Sequence, residues 1–119
     1  MASTLDRDQI YARFYEAVNM DPAELDEWLG GEYSRKVGFR RQDEAESVGH
    51  ASGRRIVTLL TKLKAALDDD DYMHMRKVVG YVKRHSAQRP ENTVTSRWRY
   101  SLMNWGHDPL KEGRSREGL

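Results

Sequence analysis

The amino-acid sequence predicts an all-α fold, a small single-domain bundle of about five helices over residues 1–109, followed by a disordered tail over residues 110–119. Three observations lead to this prediction. Apolar residues recur at the spacing of a helix face, and helix start signals built on aspartate recur along the chain. The length of 119 residues, with 33% charged residues, allows one modest core.

The first two helices are predicted over residues 6–19 and 21–29. Asp6, followed by Gln9, has the pattern of a capping box, and Leu5 and Ile10 are spaced as a hydrophobic staple. Asp21 repeats the start signal, with a proline at the first helical position. Two glycines at positions 30 and 31 then end the second helix.

The middle of the chain predicts a charged, glycine-punctuated connection and then a long helix. Residues 30–51 contain one predicted helical turn, near Tyr33 to Val37, and a predicted mobile loop over residues 39–47. The third main helix is predicted over residues 52–67, because its apolar residues follow helical spacing: Ile56, Leu59, Leu60, Leu63 and Leu67.

A run of aspartates at positions 68–71 opens the next predicted helix, over residues 69–87. Carboxylates are favoured in the first turn because the helix dipole is positive there. Neither EF-hand spacing nor a following glycine accompanies the run, so we predict no metal site and no cofactor. Pro90 ends this helix.

The last predicted element, over residues 96–105, fits two patterns. Trp98, Leu102 and Trp105 are spaced as one face of a helix that Gly106 closes, but alternate residues from Val94 onward would also suit a strand. A helix is favoured, because a lone strand in a helical chain has no partner for its backbone groups.

Composition limits the class of protein. The absence of cysteine excludes disulfides and thiolate metal sites, which suits a reducing compartment. No apolar segment is long enough to span a membrane, and the N-terminus lacks the apolar stretch of a signal peptide. We therefore expect a cytoplasmic protein.

Charge is segregated along the chain, although the net charge is only +1. Residues 1–32 carry a net charge of −6, residues 33–64 of +5, residues 65–71 of −4 and residues 72–119 of +6. Such blocks can fold into one acidic and one basic surface, the arrangement expected when one face binds a polyanion. They can equally pair with each other inside the fold.

The helix predicted at residues 69–87 contains the main candidate site for nucleic acid. Its apolar residues fall on one side, and four cations fall on the other: Arg76, Lys77, Lys83 and Arg84. Gly80 lies in the middle of the cationic side. Because glycine is unfavourable inside a helix, its presence suggests that another group approaches the backbone there. The alternative is a solvated face with a tolerated glycine.

A second candidate site lies on the helix predicted at residues 52–67. If that helix begins near Ser52, two arginines lie at its N-terminus, where the dipole disfavours cations, and a bound phosphate would resolve the conflict. The polar face that could contact nucleic acid comprises Arg54, Arg55, Thr58 and Lys62. The alternative is a helix that begins near Ser47, with its arginines in water.

Together these residues predict a protein that binds duplex DNA mainly through phosphates, with little sequence specificity. A helix-turn-helix formed by the helices at 52–67 and 69–87 is a variant of this prediction. One alternative is an interaction module, for example a homodimer, whose aromatic patch comprises Tyr81, Trp98, Tyr100 and Trp105. Another is an enzyme that uses His107 and Asp108; adjacent residues in a turn seldom orient each other for catalysis, so we assign no catalytic residue.

Three segments carry a family resemblance: residues 49–57 (GHASGRRIV), residues 72–85 (YMHMRKVVGYVKRH) and residues 98–109 (WRYSLMNWGHDP). From Leu5 to Lys111 the chain resembles a family of small prokaryotic proteins of unknown function. Some members of that family carry the label DNA-binding protein. The resemblance implies no mechanism and no residue assignment.

Overall fold

The computed structural model describes residues 6–40 and 45–111. In this part of the chain the fold is all-helical, as predicted. The helices are α1 (Arg7–Ala17), α2 (Pro22–Leu29), α3 (Glu32–Lys36), α4 (Val48–Thr61), α5 (Asp69–Ser86) and α6 (Arg97–Asn104), with short 3-10 helices at Lys64–Ala66 and Pro109–Lys111. Leu5 of the predicted staple, residues 41–44 of the predicted loop and residues 112–119 of the predicted tail lie outside the described residues.

The predicted helix starts are confirmed at α1, α2 and α5. The Asp6 side chain accepts a hydrogen bond from the backbone N–H of Gln9 at 3.1 Å. Asp21 and Asp68 each form a capping box with an acidic residue three positions later. These aspartates satisfy backbone donors that have no partner inside the helix, and so they fix where each helix begins.

Two helix pairs and a central helix build the core. α1 packs mainly on α5, and α2 packs mainly on α4, while α6 contacts α2, α3, α4 and α5. The fully buried side chains include Phe14, Leu25, Ile56, Leu59, Met75 and Leu102. Trp98 and Trp105, two members of the predicted aromatic patch, are also buried and belong to the core.

α4 begins and ends earlier than the predicted range of 52–67. The Ser47 side chain caps the helix by accepting from the backbone N–H of His50 at 3.1 Å, and the helix ends at Thr61. Leu63, predicted to belong to the apolar stripe, is therefore 79% exposed, whereas Leu67 is buried beyond the 3-10 turn. The leucine spacing continued past the true end of the helix, which periodicity by itself does not reveal.

The early start of α4 has a packing reason. A Cβ atom at Gly53 would lie 2.5 Å from the carbonyl oxygen of Asn104, and one at Gly49 would lie 2.9 Å from Nε1 of Trp105. The two glycines therefore form the face on which the end of α6 lies against α4. Gly49, predicted to lie in the connection before the helix, is therefore part of α4.

The helix-turn-helix variant is wrong. α4 ends at Thr61 and α5 begins at Asp69, so residues 62–68 separate the two helices. A helix-turn-helix needs a turn of about 3–4 residues to hold its second helix against the first. Moreover, α5 packs mainly against α1, not against α4.

The final segment is a helix with an anchored end. α6 confirms the helical alternative, and Gly106, with a φ of +81°, closes it in the left-handed region that glycine favours. Leu110 and Lys111, which were assigned to the tail, instead continue the structure: Pro109–Lys111 form a 3-10 helix, and Lys111 pairs with Glu24. Among the described residues, no helix has the length and apolar character needed to cross a membrane.

Candidate nucleic-acid interface

The outward side of α5 carries the four predicted cations. Met75, Val78 and Val82 are buried on the opposite side of the helix, which fixes its rotation. Arg76, Lys77, Lys83 and Arg84 are all exposed, and within the described part of the chain none of them forms an ion pair. We call these four residues the α5 cationic face. A face of one sign with no internal compensation attracts an anionic partner.

Gly80 lies under one of these cations. A Cβ atom added at Gly80 would meet Nη1 of Arg84 at 3.0 Å and no backbone of another element. The group that approaches this glycine is therefore the guanidinium of Arg84. The side chain runs back along the helix over the glycine, which places its charge near the middle of the cationic face.

The predicted α4 site differs, because carboxylates neutralise its cations. Arg54 forms two hydrogen bonds with Glu46, at 2.8 Å and 2.6 Å, and lowers the pKa of that carboxyl to about 2. Asp71 contacts Arg55 at 3.4 Å and Lys62 at 2.6 Å. The hydroxyl of Thr58 donates to the backbone of α4 itself, at Arg54. These four residues thus have partners in the fold.

The predicted phosphate clamp at the start of α4 does not form, because the helix begins earlier than Ser52. Ser52 is the fifth residue of the helix, and its hydroxyl lies 2.9 Å from Nε2 of His74 on α5. Arg54 and Arg55 follow it in mid-helix, far from the free backbone N–H groups of the first turn. The alternative start near Ser47 is correct, so the glycines and Ser52 serve packing between helices.

A groove of about 250 Å³ lies beside the cationic face. It runs between α5 and the turn that follows α3, with the end of α6 as its floor. Its lining includes Phe39, Val48, Lys77, Tyr81, Arg84 and Trp105. A second recess, of about 310 Å³, lies next to it, lined also by Arg55 and His74, and shares Lys77 and Trp105. The two cations Lys77 and Arg84 therefore border an apolar hollow.

Aromatic rings are stacked along the inner wall of this groove. The Trp105 ring lies 4.3 Å from Tyr81 and 6.3 Å from His74, centroid to centroid, with interplanar angles of 15° and 11°. Tyr81 in turn stacks on His85 at 5.1 Å. Because Tyr81 covers one face of the Trp105 ring and both residues line the groove, packing holds this part of the wall in position.

The electrostatics of His74 reflect the same surroundings. Burial, followed by the positive charges of Arg55 and Lys77, lowers the pKa of His74 to about 4. The imidazole is therefore neutral at pH 7 and hydrogen-bonds to Ser52. The uncompensated positive charge around the two recesses comes from Lys77 and Arg84 and not from this histidine.

A family model described as "Protein of unknown function (DUF3140)" matches residues 13–103. The chain belongs to this family. The match covers α2 to α5 completely, most of α6 and the last five residues of α1, so the cationic face of this DUF3140 protein lies inside it. Neither the curated proteins nor the solved structures contain a significant match.

Sequence reasoning missed Phe39 as a groove residue in the DUF3140 chain. It occurs in a segment rich in charge, and it is the only aromatic residue between Tyr33 and Tyr72. The ring is 72% exposed. An isolated aromatic residue among arginines and acids was the available signal, but only the fold shows that it lies near Lys77 and Arg84.

His107 and Asp108 have separate structural partners. Nδ1 of His107 lies 2.7 Å from the carbonyl oxygen of Ala17, at the end of α1. The Asp108 carboxylate accepts two hydrogen bonds from Arg99, each of 3.2 Å, while the Asp108 backbone is held by Asn19. The two side chains thus tie the end of the chain to α1 and α6, and the geometry offers no acid–base pair.

Proposed function

We propose that this DUF3140 protein binds duplex DNA, mainly through the phosphate backbone and with little sequence specificity. The observation that carries the proposal is the α5 cationic face: four exposed cations on one side of one helix, without a carboxylate partner among the described residues. Some members of the family that the chain resembles carry the label DNA-binding protein, which agrees with this proposal.

The length of the face suits a duplex. Arg76 and Arg84 are eight residues apart, which corresponds to about 12 Å along an α-helix. The major groove of B-DNA is about 12 Å wide. A helix lying across or along such a groove can therefore reach phosphates with cations from both ends of the face. Lysine and arginine form charge-assisted hydrogen bonds with phosphate oxygens.

The centre of the face projects no side chain outward that would read bases. Base edges are usually recognised by arginine, lysine, asparagine, glutamine or an acidic residue that enters the groove with fixed geometry. Gly80 occupies the centre of the α5 face, and Arg84 folds over it. Contacts to phosphate, which position a protein on the duplex without selecting its sequence, are the interaction that this surface offers.

The proposal is tested by measuring duplex affinity across a salt series. If all four cations contact phosphates, the slope of log K against log salt concentration is about −3.6, since each neutralised phosphate contributes about −0.9. The double variant Arg76→Gln/Lys83→Gln is expected to weaken binding and to make this slope shallower by about 2. Two duplexes of unrelated sequence should give similar affinities.

A charge-matched control separates the face from net charge. Arg13→Gln/Lys64→Gln removes the same number of cations from exposed positions on α1 and in the 3-10 turn. This variant should keep the wild-type slope. Equal losses in the two double variants would mean that only net charge matters, and an unchanged α5 variant would overturn the proposal. Circular dichroism checks that each variant remains folded.

A further inference from the structure

The groove beside the α5 cationic face has an exposed aromatic ring at its rim that phosphate binding does not require. The Phe39 ring is 72% exposed. Its backbone is nevertheless anchored, since the Phe39 carbonyl oxygen accepts from the N–H of Val48 at 2.8 Å. Gly38, with a φ of +96°, makes the turn that leads into it. The fold therefore presents an apolar ring to solvent from an anchored turn.

The volume of the groove suits a group about the size of one nucleobase and not a drug-sized ligand. Its volume of about 250 Å³ is below the range of about 300–1,000 Å³ for pockets that take drug-sized ligands. The lining is mainly apolar, from Phe39, Val48 and Trp105, with Ser101 as a polar residue. An apolar surface with a polar group beside it is the environment in which a nucleobase can stack and form a hydrogen bond.

Cations lie where the backbone attached to such a base would pass. Lys77 and Arg84 line the groove and are two helical turns apart, about 10 Å along α5. Both are exposed and, in the part of the chain that the structure describes, neither pairs with a carboxylate. Apolar stacking surface bordered by uncompensated positive charge is the combination that single-stranded nucleic acids bind.

We propose that this groove accepts an unstacked base of a single strand, which stacks on Phe39 while Lys77 and Arg84 hold the adjacent phosphates. The inference rests on the proposed function, because it takes nucleic acid as the ligand of the α5 cationic face. It adds that single-stranded segments bind there through their bases as well as their charge. Duplex DNA, whose bases are stacked, uses only the cations.

The test compares two labelled strands of equal charge, a thymidine 12-mer and an abasic 12-mer with the same number of phosphates. Stacking of one base on an aromatic side chain changes affinity by roughly tenfold. The wild-type protein should therefore bind the thymidine strand roughly tenfold more tightly than the abasic strand. Phe39→Ala should remove this preference and leave duplex affinity and its salt slope unchanged.

Leu63→Ala is the matched control, because Leu63 is similarly exposed and does not line the groove. It should keep the preference for the strand with bases. The groove proposal would be overturned if the wild-type protein bound the two strands equally, or if Phe39→Ala kept the preference for the thymidine strand. The duplex salt series tests the cationic face independently of this result. A different outcome would separate the two proposals. If the wild-type protein binds no duplex but prefers the strand with bases, and only Phe39→Ala loses this preference, the duplex proposal fails and the groove proposal stands.

Discussion

Two helix-interior glycines show how the surroundings of a residue decide its role. Gly53 on α4 faces the carbonyl oxygen of Asn104 and the Cδ2 atom of Leu29, at 2.5 Å and 2.6 Å from the position of a Cβ. Gly80 on α5 faces only the end of the Arg84 side chain. The first glycine is required by close packing of helices, whereas the second has a flexible neighbour that can move.

The substitutions Gly53→Ala and Gly80→Ala are therefore expected to have opposite effects on the free energy of unfolding. Gly53→Ala should lower it by about 1–3 kcal/mol, because the added methyl group overpacks a rigid contact. Gly80→Ala should raise it by about 0.5–1 kcal/mol, because alanine is the better helix former. Urea unfolding of both variants measures the difference. Equal destabilisation would show that Gly80 also has a packing role.

At the scale of the element, α5 depends on one aspartate that has two functions. Asp71 closes the capping box by accepting from the backbone N–H of Asp68, and it pairs with Lys62 and Arg55. The Lys62 hydrogen bond contributes most to a pKa of about 2 for this carboxyl. The same residue thus sets the start of α5 and connects it to the end of α4. These contacts give Asp68 and Asp71, the first and last residues of the aspartate run, defined roles.

Asp71→Asn is expected to lower the free energy of unfolding at pH 7 by about 1–3 kcal/mol, since it removes a charged hydrogen-bond acceptor that is 5% exposed. Asp70→Asn is the control, because Asp70 is exposed in the same helical turn. Its effect should stay below about 1 kcal/mol, the contribution of the helix dipole. Thermal unfolding of the two variants compares them, and similar midpoints would contradict the role assigned to Asp71.

Across the whole molecule, charge blocks that are distant in sequence pair in part. Arg7 contacts Asp69 at 2.6 Å, Lys64 contacts Asp8 at 3.4 Å and Lys111 contacts Glu24. Together with the pairs formed by Glu46 and Asp71, these contacts neutralise cations outside the α5 cationic face. The fold thereby uses both arrangements that the sequence allows, pairing on α4 and an open basic surface on α5.

Stability of the whole protein should fall in two steps as the pH decreases. Burial holds the pKa of His74 at about 4 in the folded state, below the usual value of about 6.5. As the pH falls, the unfolded chain therefore binds this proton first, and the free energy of unfolding decreases from pH 6.5 towards 4. Glu46 and Asp71, with pKa values of about 2, add a second loss from pH 4 towards 2.

Urea unfolding at pH 7.5, 5 and 3 measures both steps, and an NMR titration of the His74 ring gives its pKa directly. His74→Gln is expected to reduce the first step and to leave the second, because glutamine does not titrate. If this variant lost as much stability between pH 6.5 and 4 as the wild-type protein, the first step would belong to other groups. His85 is one of them, because burial also lowers its pKa.

The helix content could be predicted from the sequence because its causes are local. Asp6, Asp21 and Asp68 cap their helices within three residues, and the apolar spacing of α5 fixes which side of that helix is buried. The cationic face follows directly from this rotation. By contrast, the predicted boundaries of α4 were wrong, because the leucine pattern continues beyond Thr61 and because Gly49 looks like a loop residue until α6 lies against it.

The sequence by itself thus determined the all-α class, the helix starts and the placement of four cations on one side of α5. Only the tertiary structure decided which cations have carboxylate partners and that Phe39 lines the same groove as Lys77 and Arg84. The physical reason is range: caps and helical periodicity act within a few residues of one helix, whereas these ion pairs and the groove join residues of different elements.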